Sequence, residues 1–248
     1  MTIETDDDLE QLKAIGYIVA TTLKQMMEST EPGMTTAEID QIGQRLLEKY
    51  EANSAPKVTY NFPGYTCISI NEEAAHGIPG QRVVQPGDIV NIDVSAEKNG
   101  YFADTGGSFV VPPSSALKDR LLHATKQALN NACAYASSGR PINGIGKSIQ
   151  KVAKQNNFRI IKNLCGHGVG RGLHEDPKEI HGFYVPTDDR ILKEGMVIAV
   201  EPFLSTKSQF VEEGKDGWTL LGKSGNLSAQ FEHSMVITKG KPILLTAI

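Results

Sequence analysis

Gly87-Asp88-Ile89-Val90-Asn91-Ile92-Asp93 has an echo later in the chain, Gly195-Met196-Val197-Ile198-Ala199-Val200-Glu201. Each stretch opens on glycine, runs through apolar and largely β-branched residues, and reaches an acid six residues on. Each follows a matching tripeptide, His76-Gly77-Ile78 or His167-Gly168-Val169. Each precedes another acid that enters an apolar strand pattern: Asp104 before Ser108-Phe109-Val110-Val111, and Glu232 before Met235-Val236-Ile237. The echo extends to Gly33 and Gly139, which lie six residues before Ile39 and Ile145 at the openings of helical patterns. Two similar halves facing one another would gather Asp93, Asp104, Glu201 and Glu232. Burying four carboxylates together costs on the order of several kcal/mol each unless cations compensate. The repeat therefore predicts a metal site.

Outward from these stretches, Leu9, Leu12, Ile15, Val19, Leu23 and Met26 recur at helical spacing from about residue 8 to 29, and Glu31-Pro32-Gly33 stops the pattern. Thr35 with Glu38 forms a capping box opening a second helix through about residue 50, with Ile39, Ile42 and Leu46 on its inner stripe. Strands are expected at 66–71, 89–95 and 107–111, separated by turns such as Gln85-Pro86-Gly87. Val111-Pro112-Pro113-Ser114-Ser115 is the clearest connector. After it the helical period returns through Leu117, Leu121, Ala124, Ala128, Ala132 and Tyr135, then over about 142–156, with strands at 159–163, 196–202, 229–237 and 243–245. Helices followed by strands, twice, read as an α+β sheet with helices on its outer face, in one domain of residues 1–248 with halves of about 1–112 and 113–248.

Composition narrows the class. Hydrophobic and charged fractions of 40% and 22% are ordinary for a globular chain. Met1-Thr2-Ile3-Glu4-Thr5-Asp6-Asp7-Asp8 is acidic where a secretory signal is basic and then apolar, and no run approaches the roughly 18 apolar residues of a membrane span. Three scattered cysteines, Cys67, Cys133 and Cys165, form no Cys-x-x-Cys pattern and fit a reducing cytoplasm. A net charge of −4 without a Lys/Arg cluster argues against nucleic acid as the main ligand. Nothing suggests an obligate interface, so a monomer is expected.

Within 89–95 the alternation is strict, with Val90, Ile92 and Val94 on one face and Asn91, Asp93 and Ser95 on the other. Asp104 follows across a Lys98-Asn99-Gly100 turn, which allows it to lie beside Asp93 on the return strand, roughly 5 Å away. Four carboxylates and an imidazole make a hard set suited to Mn²⁺, Fe²⁺, Co²⁺ or Zn²⁺ rather than to a thiolate zinc. Four negative charges balance two divalent ions. Two such ions lower the pKa of a bound water and clamp an oxyanion, so metal-assisted hydrolysis is the natural reaction class.

These residues resemble one family: the type I methionine aminopeptidases of the pita-bread fold. The resemblance spans nearly the whole chain, through Cys67-Ile68-Ser69-Ile70-Asn71-Glu72, His76-Gly77-Ile78-Pro79, the stretch 87–93, Gly166-His167-Gly168-Val169-Gly170-Arg171-Gly172-Leu173-His174-Glu175, Glu201-Pro202 and Ser228-Ala229-Gln230-Phe231-Glu232-His233. It implies that Asp93, Asp104, His167, Glu201 and Glu232 bind two divalent ions, with Asp104 and Glu232 bridging. Glu201 would also shuttle protons between the attacking water and the departing amine. His76 and His174 would be uncoordinated, the first near the leaving nitrogen and the second donating to the scissile carbonyl. Phe62, Cys67 and Trp218 would line a methionine pocket, and Asn71 and Ser228 would help hold a monovalent cation. Leu173 stands where relatives often carry phenylalanine, and Thr59 and Pro56 where some carry tyrosine and cysteine, so the pocket's shape departs from theirs. The implied substrates are nascent polypeptide N-termini with small second residues, met through transient ribosome association.

Two rival readings come from other classes. Gly217-Trp218-Thr219-Leu220-Leu221-Gly222-Lys223-Ser224 matches a phosphate-binding loop letter for letter, but bulky interior residues and the following Gly225-Asn226 leave no place for the required helix. A catalytically silent binding protein on the same fold would have lost metal ligands, and this chain keeps all five.

Overall fold

The computed structural model describes residues 1–248. Helix α1 (Asp6–Ser29) is capped by Thr5, whose hydroxyl accepts from the Asp8 backbone N–H while the Asp8 carboxylate accepts from the Thr5 N–H. It begins two residues before the apolar period does, because three acids in its first turn favour the positive end of the helix dipole. Helix α2 (Thr36–Lys49) carries the expected Thr35–Glu38 capping box. A short helix, α3 (Ala55–Tyr60), follows, and α4 (Ala116–Tyr135) and α5 (Asn143–Gln155) open the second half.

In the first half the strand Ile89–Lys98 pairs on one side with Tyr101–Val110 and on the other with Cys67–Ile70 and Asn53–Ser54. In the second half Val197–Val200 lies between His233–Val236 and Cys165–Gly168. All pairings are antiparallel. Gly87 and Gly195, the openings of the duplicated stretches, share a left-handed φ of 90° and 80°, which explains why both copies begin on glycine.

The two sheets meet where Tyr101–Val110 passes the strand His233–Val236. The Asp104 N–H donates to Ser234 Oγ, that hydroxyl donates to the Asp104 carbonyl, and the Glu232 N–H donates to the Gly106 carbonyl. Helix α1 packs across the first hairpin. One apolar core, including Leu12, Ile15, Ile68 and Ile92, lies beneath it, and a second, including Leu121, Ile145, Ile149 and Ile198, lies beneath α4 and α5. The strand residues that turn away from these cores face the junction.

Three strands differ from their sequence expectation. The return strand starts at Tyr101 rather than 107, since Asn99 and Gly100 both adopt positive φ (55° and 77°) and make a tight hairpin with Lys98 opposite Tyr101. Gly106 reads as a breaker but lies mid-strand, because any Cβ there would stand 2.3 Å from the Gln230 side chain. The run 229–237 breaks in two, and the run 196–202 stops at Val200, with a separate strand resuming at Phe203. Ser228–Gln230 and Phe203–Ser205 pair with one another, while His233–Val236 and Val197–Val200 pair in a different sheet. Each break carries one acid, Glu201 before Pro202 and Glu232 after Phe231.

Asp8 also ties α1 to the second half. Its carboxylate accepts from the N–H groups of Glu4 and Thr5, the Tyr101 hydroxyl at 2.8 Å and Arg171 at 2.9 Å, and the bonds from Glu4, Tyr101 and Thr5 hold its pKa well below the usual carboxylate range. A pKa lower in the folded than in the unfolded chain adds stability above the unfolded value, and that increment is lost as pH falls below it. The thermal midpoint of Asp8→Asn should therefore lie below that of the wild type at pH 7, and the gap should narrow on acidification from about pH 5 to pH 3, around the unfolded carboxylate pKa. A gap that stays constant with pH would assign Asp8 a packing role only.

Candidate active site

The floor of the site is built from the junction between the sheets. Asp93 lies opposite Gly106 and Asp104 opposite Ser95, so the two acids are diagonal neighbours on one face of the hairpin. Val90, Ile92 and Val94, on the other face, are wholly buried in the first core. Glu201 and Glu232 project from the two strand breaks. A strand that changes partner at those points no longer holds its side chains to the pleat, and both turn to the junction.

His167 enters from the strand Cys165–Gly168. Its Nδ1 lies 3.0 Å from the Gly168 carbonyl and donates to it, which leaves Nε2 as a bare acceptor 3.7 Å from both Asp104 Oδ2 and Glu201 Oε1. Burial pushes the His167 pKa down to about 4, so the ring is neutral and fit to be a ligand. Its registry also corrects the tripeptide echo. His167 is opposite Ala199, four residues after Gly195, whereas the residue opposite Asn91, four after Gly87, is Ser69 rather than His76. His76 instead sits beyond the strand Glu73–Ala75, with φ 55°. The neighbouring Gly77 is held against the strand Cys67–Ile70, where a Cβ would stand 2.1 Å from the Ile68 carbonyl oxygen.

Ligand atoms of Asp104, His167 and Glu232 come within 4.8 Å of one another. Two carboxylate charges at that distance repel by at least about 3.5 kcal/mol at an effective dielectric of 20. One hydrogen bond to a charged group returns only about 1.5–3 kcal/mol, so the bonds present do not hold four bare charges. Gln230 Nε2 donates to Glu232 Oε2 at 3.0 Å. Even so, burial and mutual repulsion raise Asp93, Glu201 and Glu232 well above the ordinary carboxylate range. Asp104 Oδ1 and Glu232 Oε1 are buried without any hydrogen-bond partner. Unpartnered oxygens, a bare imidazole nitrogen and surplus negative charge are the donor set of a divalent cation. The residues present fit that group.

Above the floor is a cleft of about 290 Å³ lined by the expected metal-binding, catalytic and methionine-pocket residues except Glu232, which lies beneath it at 2% exposure. Phe62 is buried and meets half-buried Trp218 edge to face, with centroids 5.1 Å apart. Cys67 borders them, and burial together with the nearby Asp93 charge raises its pKa, so it remains an apolar thiol. Leu173 and Pro56 also line the cleft, while Thr59 is exposed and does not. His76 and His174 stand on the walls with edges open to solvent, and crowding by protein lowers both pKa values. Both are neutral near pH 7.

Outside the cleft, Asn71 and Ser228 are adjacent. The Ser228 N–H donates to the Asn71 carbonyl, and their side chains bond Asp88 and Asn226. The phosphate-loop look-alike forms the strand Leu220–Leu221 with no helix after it. A wider groove of about 770 Å³, bordered by Lys207, Phe210 and Lys223, contains no histidine.

Sequence reasoning missed two residues. Gln230 braces Glu232 and, through Asn91 Nδ2 at 2.8 Å, the first hairpin; its two-residue spacing from Glu232 was the available signal. Tyr60, whose hydroxyl lies 2.6 Å from His174 Nδ1, carried none, since 114 residues separate the pair.

Comparison with known proteins gives the family. Residues 10–239 match the model of metallopeptidase family M24. The chain is 50% identical to a methionine aminopeptidase of Staphylococcus epidermidis over 100% of its own length and 99% of the relative's. It is 44% identical to methionine aminopeptidase 2 of Bacillus subtilis, with both chains fully covered. The crystal structure of methionine aminopeptidase from Thermotoga maritima superposes with a TM-score of 0.96 at 31% identity, covering both chains completely, and shares the pita-bread arrangement of two facing halves. With nearly its entire length matched and its buried carboxylates facing one cleft, the chain belongs to metallopeptidase family M24.

Proposed function

We propose that this chain removes the initiator methionine from polypeptide N-termini by hydrolysing the first peptide bond, favouring small second residues. The observation that carries the reading is the cleft itself, in which an apolar recess of Phe62, Cys67 and Trp218 adjoins a carboxylate floor with unpartnered oxygens. Its walls suit an unbranched thioether, since sulfur packs favourably against aromatic edges. The relatives bearing the name methionine aminopeptidase support it.

Asp93, Asp104, His167, Glu201 and Glu232 would hold two divalent ions of Co, Mn, Fe or Zn, which supply Lewis acidity and a water of lowered pKa. Asp104 and Glu232, each with an oxygen to spare, would reach both. Glu201 accepts the proton of the attacking water and returns it to the leaving nitrogen. His174 donates to the carbonyl oxygen as charge develops there, and His76 stands near the amide nitrogen. Phe62 and Trp218 seat the methionine side chain, which aligns the first peptide bond over the floor. The chain has no helix long and apolar enough to cross a membrane. We place its action in the cytoplasm, on chains emerging from the ribosome.

Free methionine should be released from Met-Gly-Met-Met only after Mn²⁺ or Co²⁺ is restored to chelated protein, and an alanine-initiated analogue should remain intact. Absence of cleavage with metal shown to be bound would overturn the reading. Chelation should also lower the thermal midpoint, because the buried acids lose their counter-charge and binding of the native state is lost. An unchanged midpoint would mean that the acids are balanced by protons alone.

A further inference from the structure

The two neighbouring imidazoles at the cleft, His167 and His174, have ring centroids 4.1 Å apart with their planes tilted by 52°, yet their Nδ1 atoms face opposite kinds of partner. The Nδ1 of His167 meets a backbone carbonyl, a pure acceptor. That of His174 meets the Tyr60 hydroxyl at 2.6 Å. A phenol is a good donor and a weak acceptor, and a neutral imidazole has one nitrogen of each kind. The Tyr60 O–H therefore donates to Nδ1, which leaves the proton of His174 on Nε2. One ring thus presents a lone pair as a ligand, and the other presents an N–H.

Tyr60 also supplies the only hydrogen bond to the His174 ring. His174 lies at the exposed edge of the cleft, between the buried Leu173 and the strand Glu175–His181, so its backbone is placed by its neighbours while its ring has no other polar partner to fix its direction. Tyr60 closes α3, where Asn61 takes the left-handed conformation at the helix end. The hydroxyl therefore spans from one lip of the cleft to the other. The tyrosine ring packs 5.5 Å from the imidazole, centroid to centroid.

We propose that Tyr60 is a positioning residue that orients His174 and holds its proton on Nε2, so that His174 serves as the hydrogen-bond donor to the scissile carbonyl. The proposal rests on the aminopeptidase reading for what His174 donates to, while the tautomer itself is independent of that reading.

The test is a double-mutant cycle on metal-loaded enzyme with Met-Gly-Met-Met, together with ¹⁵N NMR of the histidine rings. Tyr60→Phe, at an exposed position, should leave the thermal midpoint unchanged, lower kcat about tenfold and leave KM close to wild type. In a His174→Ala background the same change should have no further effect. The His174 Nδ1 resonance should report an unprotonated nitrogen in the wild type and shift towards a mixed population in Tyr60→Phe. Equal effects of Tyr60→Phe with and without His174, or a rise in KM with kcat unchanged, would show that Tyr60 contacts substrate directly and would overturn the proposal. An unchanged His174 spectrum in Tyr60→Phe would overturn it as well. If the wild type released no methionine, the function would fall, and the spectra alone would decide the role of Tyr60.

Discussion

Glu201→Gln should lower methionine release by about 10³-fold or more, the upper part of the range for losing a general acid–base group. Glutamine matches glutamate in size at the strand break before Pro202, so the fold is left intact. What is removed is the capacity to take a proton and one negative charge from a cluster that burial and repulsion already hold far from ordinary titration. Gln230, which bonds Glu201 and Glu232 in the wild type, can still bond the new amide oxygen. Metal content by mass spectrometry separates the two contributions. A variant that keeps its ions but not its turnover identifies Glu201 as the proton carrier. Retention of a tenth of wild-type activity would rule out that role.

His174→Ala should lower kcat by about 10²–10³-fold, the range measured for removing a single oxyanion donor, while the protein keeps its metal. The separation from His167 rests on geometry. The Nε2 of His167 lies 3.7 Å from both Asp104 and Glu201, whereas the His174 ring is tied to Tyr60 on the cleft wall. Loss of metal from His174→Ala, measured in the same samples, would show that the two rings had been assigned the wrong way round.

Much of the site was legible as a repeat. Asp93 and Glu201 occupy the same place in two copies of one stretch, and Asp104 and Glu232 each enter the strand that pairs with it. Helix starts were equally plain, because a cap is written in four adjacent residues, as at Thr35 and Glu38. The histidines were less so. The echo of His76 in His167 is a likeness of letters, and the registers put Ser69 where the equivalent of His167 belongs. Only the family resemblance separated ligand from bystander.

What the sequence by itself determined is therefore the local and the periodic: caps, apolar stripes, strand alternation, and two copies of an acid-bearing stretch whose charges demand a counter-ion. The tertiary structure decided what depends on partners far along the chain. It broke the strands at Glu201 and Glu232, where each changes sheet, set Gln230 against Gly106, and brought Tyr60 to His174 across 114 residues. The physical reason is that a cap or an alternation is settled by neighbours within one turn or one pleat. A strand's choice of partner, and the atom that meets a ring nitrogen, are settled by how the two halves of the chain close on one another.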